Sequence, residues 1–191
     1  MTRNVLRQAA AGLRVLLVLS VLTGALYPLA VWAVARLAFP HQADGSRVVV
    51  HGRTVGSALL AQDFPGPRWF HARPSAAGPR GYDTRASGGS NLGPENGTLL
   101  NEVKRRRAAA AEAGVPPDAL TASGSGLDPH ISPGYAHQQV ARVARARGLA
   151  QRRVSALVRD HTKGRTLGFL GEPRVNVLEL NVALDRLARR G

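Results

Sequence analysis

The chain has 191 residues, enough for one domain of ordinary size and an appendage. It contains no cysteine, which excludes disulfides, thiolate metal sites and a lipid anchor on cysteine. The formal charge is +14, with 24 of the 26 cations arginine, a balance that suits nucleic acid, an anionic membrane surface, an acidic partner or simply a solvated basic exterior.

Arg14 and Arg36 bracket 21 uncharged residues, VLLVLSVLTGALYPLAVWAVA. As a helix this stretch spans roughly 30 Å, the thickness of a bilayer's hydrocarbon core. It is apolar on every face, as a membrane span is and a surface helix is not. Pro28 sits in the middle, where it removes a backbone hydrogen bond and predicts a kink that a neighbouring helix would make cheaper. Ala33-Val34-Ala35 offers the alternative of a signal-peptide cleavage site, but the apolar core is longer than the roughly 7–15 residues such peptides use. The organisation expected is therefore a short tail over 1–14, a transmembrane helix over 15–37 and a soluble domain over 38–191. Three arginines precede the span, Arg3, Arg7 and Arg14, and three follow it closely, Arg36, Arg47 and Arg53. That tie leaves a short cytoplasmic tail and a translocated domain as the simpler arrangement, because long domains cross largely regardless of charge.

Val48-Val49-Val50 reads as a strand with Gly52 in the turn behind it. Ser57 is placed to cap a short helix through Leu59, Leu60 and Gln62. Residues Pro65 to Pro94 are rich in Gly, Pro, Ser and Asn, the composition of an exposed loop. Thirty residues is long for a structureless loop, so contacts or a partner are expected to order it. Leu99 to Ala113 has helical propensity. Ser132 looks like an N-cap with Pro133 at the first helical position, opening a helix that stops at Gly148. A second helix carries Val154, Leu157, Val158 and His161 on one face. Leu167 to Leu170 reads as a strand ended by Gly171 and Pro173. Asn176 and Glu179 have capping-box spacing, opening a terminal helix with Leu180, Leu184 and Leu187 inward. Helices and strands mix without regular alternation, which predicts an α+β domain.

The stretch TASGSGLDPHISPGYA, from Thr121 to Ala136, looks at first like an active site. Neither Ser123 nor Ser125 has the glycine two residues earlier that a nucleophile elbow needs. Neither lysine sits in a phosphate-loop frame. A secreted serine hydrolase built on Ser125, Asp128 and His130 remains a reading, as does a turn that positions a helix through Gly124, Gly126, Asp128 and Ser132. The histidines give no spacing typical of zinc, so no metal is expected on this chain. VARVARARGLAQRRVSALVRDH, from Val140 to His161, has the form of a basic helix-turn-helix. Arg142, Arg145, Arg147, Arg152 and Arg153 would touch phosphate in a membrane-tethered DNA-binding module.

Five stretches in one order carry a more specific signal. FHARPSA (Phe70–Ala76), SGGSNLGPEN (Ser87–Asn96), TASGSGLDPHISP (Thr121–Pro133), QVARVARARGL (Gln139–Leu149) and GEPRVNVLELNVALD (Gly171–Asp185), behind a single span, resemble the KdpC family of the Kdp potassium-transporting ATPase. The resemblance runs from Arg14 to Leu187. It implies a bacterial inner-membrane complex that imports potassium with high affinity, driven by ATP. The implied partners are a P-type ATPase subunit, a channel-like potassium-binding subunit and a small single-span subunit, with membrane lipid around the helix and no nucleic acid. The resemblance also implies a subunit that is not itself the ATPase, with no activity of its own expected, and that acts as a catalytic chaperone raising the ATP affinity of the pump subunit.

Within that resemblance, Ser87, Gly88, Gly89 and Ser90 are similar to the L-S-G-G-Q signature of ABC transporters and become candidate nucleotide contacts. Ala86 and Ser90 stand where that signature has Leu and Gln. An extracytoplasmic domain conflicts with that contact, because ATP lies on the other side of the bilayer, so any ATP effect is expected to pass through the partner ATPase subunit. The soluble part carries 22 cations against 12 acids, a formal +10. Near a potassium entrance this field would repel the ion, so either Asp63, Asp83, Glu95 and Asp128 line the path or the cations face lipid headgroups.

Overall fold

The computed structural model describes residues 2–110 and 114–189, and the chain divides into two compact units, Met1–Ser46 and Arg47–Gly191. In the first, α1 (Thr2–Val21), a π-helical turn (Leu22–Leu26) and α2 (Tyr27–Ala38) form one continuous 37-residue helix, long and apolar enough to cross a membrane. None of its residues is buried. Leu16, Leu19, Leu22, Leu26, Leu29 and Val34 each leave close to half or more of their surface open.

Just before Pro28, where a kink is expected, the helix contains the π turn. Pro28 has no N–H for Gly24, and its ring would crowd that carbonyl in a regular helix. The backbone takes in one extra residue instead, and the Tyr27 N–H donates to Leu22 O, five residues back. Thr23 Oγ1 donates to Leu19 O at 2.7 Å within the same turn. At the far end Arg36 lies over the Trp32 ring at 5.7 Å and forms an ion pair with Asp44. The short α3 (Pro40–Ala43) follows, and Gly45 and Ser46 then turn the chain through positive φ.

The second unit opens with a hairpin of β1 (Arg47–Val50) and β2 (Arg53–Ser57). Val50 pairs with Arg53, so His51 and Gly52 form a two-residue loop. Their φ values of 49° and 75° are those of a type I′ turn, whose twist matches the strands. Ser57 starts no helix. It ends β2, and its Oγ accepts from Leu59 N at 3.1 Å in a local turn, so the capping-type residue serves a loop.

Next come α4 (Gly97–Ala110) and α5 (Pro117–Leu120). The expected end of α4 at Ala113 lies outside the described residues. Then follow β3 (His130–Ile131), α6 (Pro133–Arg147), α7 (Gln151–Asp160), β4 (Thr162–Lys163), β5 (Arg174–Asn176) and α8 (Val177–Arg189). β5 is central in an antiparallel sheet of order β3-β5-β4. The caps read from sequence form: Ser132 Oγ accepts from Tyr135 N at 3.0 Å, and Gly148 ends α6 at φ 66°. Asn176 Oδ1 caps α8 by accepting from Glu179 N at 3.1 Å. The Glu179 side chain, half of the expected box, reaches Lys163 at 3.1 Å instead.

The segment Leu167–Leu170 is not a strand. Thr166 and Leu170 pair as an isolated bridge around a tight loop, and Leu167 sits at φ 54°. Its apolar run marks exposure at a tip, not a place in the sheet, whose residues come from positions 130, 162 and 174 onward.

Helices α6, α7 and α8 enclose the core with β5. Val143, Val154, Val158, Val175, Leu180 and Leu184 are fully buried, and Phe70 enters the same cluster from the long irregular segment.

Candidate functional site

Residues 58–96 form no helix or strand, yet side-chain amides hold them in place. Asn181 on α8 brackets one residue: its Oδ1 accepts from Phe70 N at 2.9 Å, and its Nδ2 donates to Phe70 O at 2.9 Å. Gln139 on α6 does the same to His71, accepting at 2.7 Å and donating at 3.2 Å. Asn176 Nδ2 donates to Ala58 O at 2.7 Å. These three carboxamides are all buried and stand in for the neighbouring strand this run lacks.

Arg147 extends the clamp. Its guanidinium stacks on Trp69 at 4.2 Å, donates to Arg68 O at 2.8 Å and lies 3.5 Å from Asp185. Burial lowers its pKa, and the Asp185 contact opposes that effect. Arg142 reaches Pro67 O and Gln139 Oε1. Two of the arginines expected to face phosphate in a helix-turn-helix thus bind the domain's own loop.

The two glycine motifs meet each other. Gly88 N donates to Ser125 O at 2.8 Å, and Ser87 Oγ donates to the same oxygen at 3.1 Å. A Cβ on Gly89 would lie 2.9 Å from Gly124 O, and one on Gly126 only 2.7 Å from Gly88 O. Ser75 ties down the third side, donating to Gly126 O at 2.6 Å while accepting from Ala77 N and Tyr82 N. The Tyr82 hydroxyl donates to Arg73 O at 2.8 Å, and burial pushes its pKa up to about 12, so it stays a neutral donor. In this structure Gly89 and Gly126 are needed because two backbones touch there, whereas a Cβ on Gly88 or Gly124 would meet nothing within 4 Å. The Gly88 amide, which a phosphate would need, already serves a carbonyl. Ser90 is exposed at the edge of this junction.

Ser125, Asp128 and His130 do not assemble as a relay. Ser125 Oγ accepts from Leu127 N at 3.1 Å. Asp128 Oδ1 accepts from His130 N at 3.0 Å and lies 3.4 Å from His130 Nδ1. The hydrogen bond from the His130 side chain is the main reason the Asp128 carboxyl stays below its usual range, with burial opposing and the Arg73 charge assisting. These contacts build an Asx turn that delivers the chain into β3. Asp118 then accepts from Ser132 N at 2.6 Å and Ser132 Oγ at 3.1 Å, joining α5 to the start of α6.

Beside this turn lies an open cleft of about 600 Å³ bordered by Arg73, Asp118, Asp128, His130, Glu172 and Arg174. Of the acids considered for an ion path, Asp83 accepts from Arg85 N within its own loop and Asp128 is committed to His130. Among the described residues no group of three His, Asp or Glu side chains is placed to hold a metal ion. The residues that sequence reasoning missed are Asn181, Gln139 and Asn176 as clamps. For Gln139 and Asn181 the signal was a carboxamide at an inward helical position, where the periodicity calls for an apolar side chain; Asn176 ends β5 and reads from sequence only as a cap.

The sequence profile of KdpC, the c chain of K+-transporting ATPases, matches residues 9–186. A potassium-transporting ATPase KdpC subunit from Kineococcus radiotolerans is 63% identical, covering 97% of this chain and 96% of that protein. The proteins of the same name from Sorangium cellulosum and Rhodospirillum rubrum are 60% and 56% identical, covering 89% and 87% of this chain and 93% and 89% of their own lengths. With one membrane-length helix and a matching α+β domain behind it, the chain belongs to the KdpC family of potassium-transporting ATPase components.

Proposed function

We propose that this protein is a non-catalytic accessory part of a high-affinity, ATP-driven potassium importer in the bacterial inner membrane. One crossing anchors it, with the amino end in the cytoplasm and the domain over 38–191 outside. It assembles and stabilises the complex beside a P-type ATPase subunit, a channel-like potassium-binding subunit and a small single-span subunit. It raises the ATP affinity of the ATPase subunit through the pump's conformational states, without itself touching nucleotide.

The observation that carries this reading is the Ser87–Ser90 loop, whose Gly88 amide is spent on Ser125 O while Gly89 and Gly126 allow two backbones to meet. That loop is a joint in a scaffold. The 37-residue apolar helix supports the anchoring half of the reading. The test is potassium-stimulated ATP hydrolysis by the purified complex with and without this protein. The expected result is an apparent KM for ATP about ten-fold higher without it, a coupling of roughly 1.4 kcal/mol. Unchanged ATP dependence, or ATP bound by the isolated full-length chain, contradicts the proposal.

A further inference from the structure

The apolar helix is longer than a bilayer requires. Its 37 residues extend about 55 Å, against roughly 30 Å of hydrocarbon core. Most of the surplus lies at the amino end, where residues 2–14 continue as regular α-helix ahead of the uncharged stretch.

This extension has two distinct sides. The spacing of Arg3, Arg7 and Arg14 sets all three within about 40° of one another around the axis. Val5, Leu6, Ala9 and Leu13 share a second arc of about 100° beside them. Of these, Val5, Leu6 and Leu13 leave 62%, 68% and 55% of their surface open. A basic stripe next to an apolar one is the pattern of a helix that rests against lipid headgroups.

The stripe has no carboxylate of its own to pair with. No Asp or Glu precedes Asp44, which sits beyond the other end of the helix and pairs with Arg36. Arg3 and Arg7, with Asn4, Leu6 and the small Ala10, border an open recess of about 560 Å³. Two guanidiniums and a carboxamide bring donors to this recess, and Leu6 gives it an apolar edge. The planar fork of each guanidinium matches a pair of phosphate oxygens.

We propose that this amino-terminal face binds the headgroup of an anionic phospholipid. The phosphodiester oxygens accept from Arg3 and Arg7, Leu6 rests on the glycerol and upper acyl region, and Arg14 marks the boundary of the span. The inference rests on the anchoring half of the function proposed above and not on any effect on ATP. Continuity with the apolar helix selects the occupant. Arg7 lies only about 10 Å along the axis from Arg14, and tilting of an overlong helix brings it closer to the phosphates. An acidic peptide would answer the charge but leave the apolar arc in water.

The test titrates the full-length chain in a neutral detergent with phosphatidylglycerol or phosphatidylcholine and counts bound lipid by native mass spectrometry. Phosphatidylglycerol is expected to bind about thirty-fold more tightly, as two cations beside an anionic headgroup contribute. Arg3→Gln with Arg7→Gln should abolish that preference, and Arg3→Lys with Arg7→Lys should keep most of it. Glutamine is a good helix former, so an unchanged far-ultraviolet dichroism spectrum is expected. Arg152→Gln with Arg153→Gln, exposed on α7, should leave the preference intact. An equal loss from that α7 pair would mean a general charge effect, and displacement of the lipid by excess inorganic phosphate would mean a plain anion site; either overturns the inference. So does a glutamine variant that keeps its lipid but loses an acidic protein co-purified from native membranes. Sedimentation with phosphatidylcholine vesicles separates the two readings. A chain that stays in solution refutes the anchoring, whereas one that sediments without preferring phosphatidylglycerol refutes only the headgroup site.

Discussion

The helix over residues 2–38 and the irregular run over residues 58–96 satisfy their backbones in opposite ways. Each turn of the helix bonds to itself, and even Pro28 is absorbed locally by a π turn five residues long. The irregular run borrows its partners from residues up to 118 positions away, through Asn176, Asn181 and Gln139. A self-contained helix can be placed in a membrane by composition alone, because nothing else need be present for its hydrogen bonds to form. A borrowed backbone is ordered only when the helices that lend to it are already packed. Damage to the lenders should therefore disorder the run first and leave the helix unaffected.

Asn181→Ala should break this most severely. It strips two hydrogen bonds from the backbone of Phe70, which is itself fully buried, and leaves both polar groups in an apolar core. A loss of about 3–4 kcal/mol is expected in urea unfolding of the domain. Amide exchange should rise around residues 68–72 and stay unchanged within residues 15–35. Protection that falls equally in both regions would dissolve the distinction.

Gly126→Ala tests the junction of the two glycine loops. The new Cβ would meet Gly88 O at 2.7 Å and Ala77 N at 2.8 Å, on a backbone at φ 68°. We expect about 2–3 kcal/mol of destabilisation. Gly124→Ala, with nothing within 4 Å of its added methyl, should stay within about 0.5 kcal/mol. Equal effects would mean that these loops do not touch.

Arg147→Lys keeps the charge but loses the flat stack on Trp69 and the fork toward Arg68 O. A cost of about 1 kcal/mol is expected, read as a lower melting temperature.

The smallest expected effect is a pH dependence from His71. Burial is the main cause that lowers its pKa from 6.5, the Gly66 backbone contact opposes this, and the nearby Arg142 charge adds to it. The folded state then resists protonation more than the unfolded chain does. The contribution of His71 is fully present above pH 6.5 and is lost as pH falls through the depressed folded value. Urea midpoints that drop between pH 7.5 and 5, less steeply in His71→Gln, would match.

Much of the architecture was written locally. Ser132-Pro133 and Gly148 delimit α6, Asn176 caps α8, and His51-Gly52 make a two-residue turn, because caps and turns depend on neighbours a few residues away. The same logic misread Leu167–Leu170, where apolar residues suggested a strand but lie on an exposed tip. It also misread Ser57, whose hydroxyl serves a turn. The candidate site was less legible. SGGS and SGSG read as separate motifs, and that Gly89 and Gly126 make room for the other loop's backbone requires the fold that brings position 88 against position 125. The clamps were hidden for the same reason: a buried Asn has meaning only once its distant backbone partner is known.

The proposed function places the Ser87–Ser90 loop in a scaffold outside the cytoplasm. Because the chain has no cysteine, a single Ser90→Cys substitution gives a unique and exposed thiol. In the assembled complex a membrane-impermeant maleimide should modify it in intact cells whose outer membrane has been opened, and not from the cytoplasmic side. Modification only in inside-out vesicles, blocked by ATP, would contradict the account.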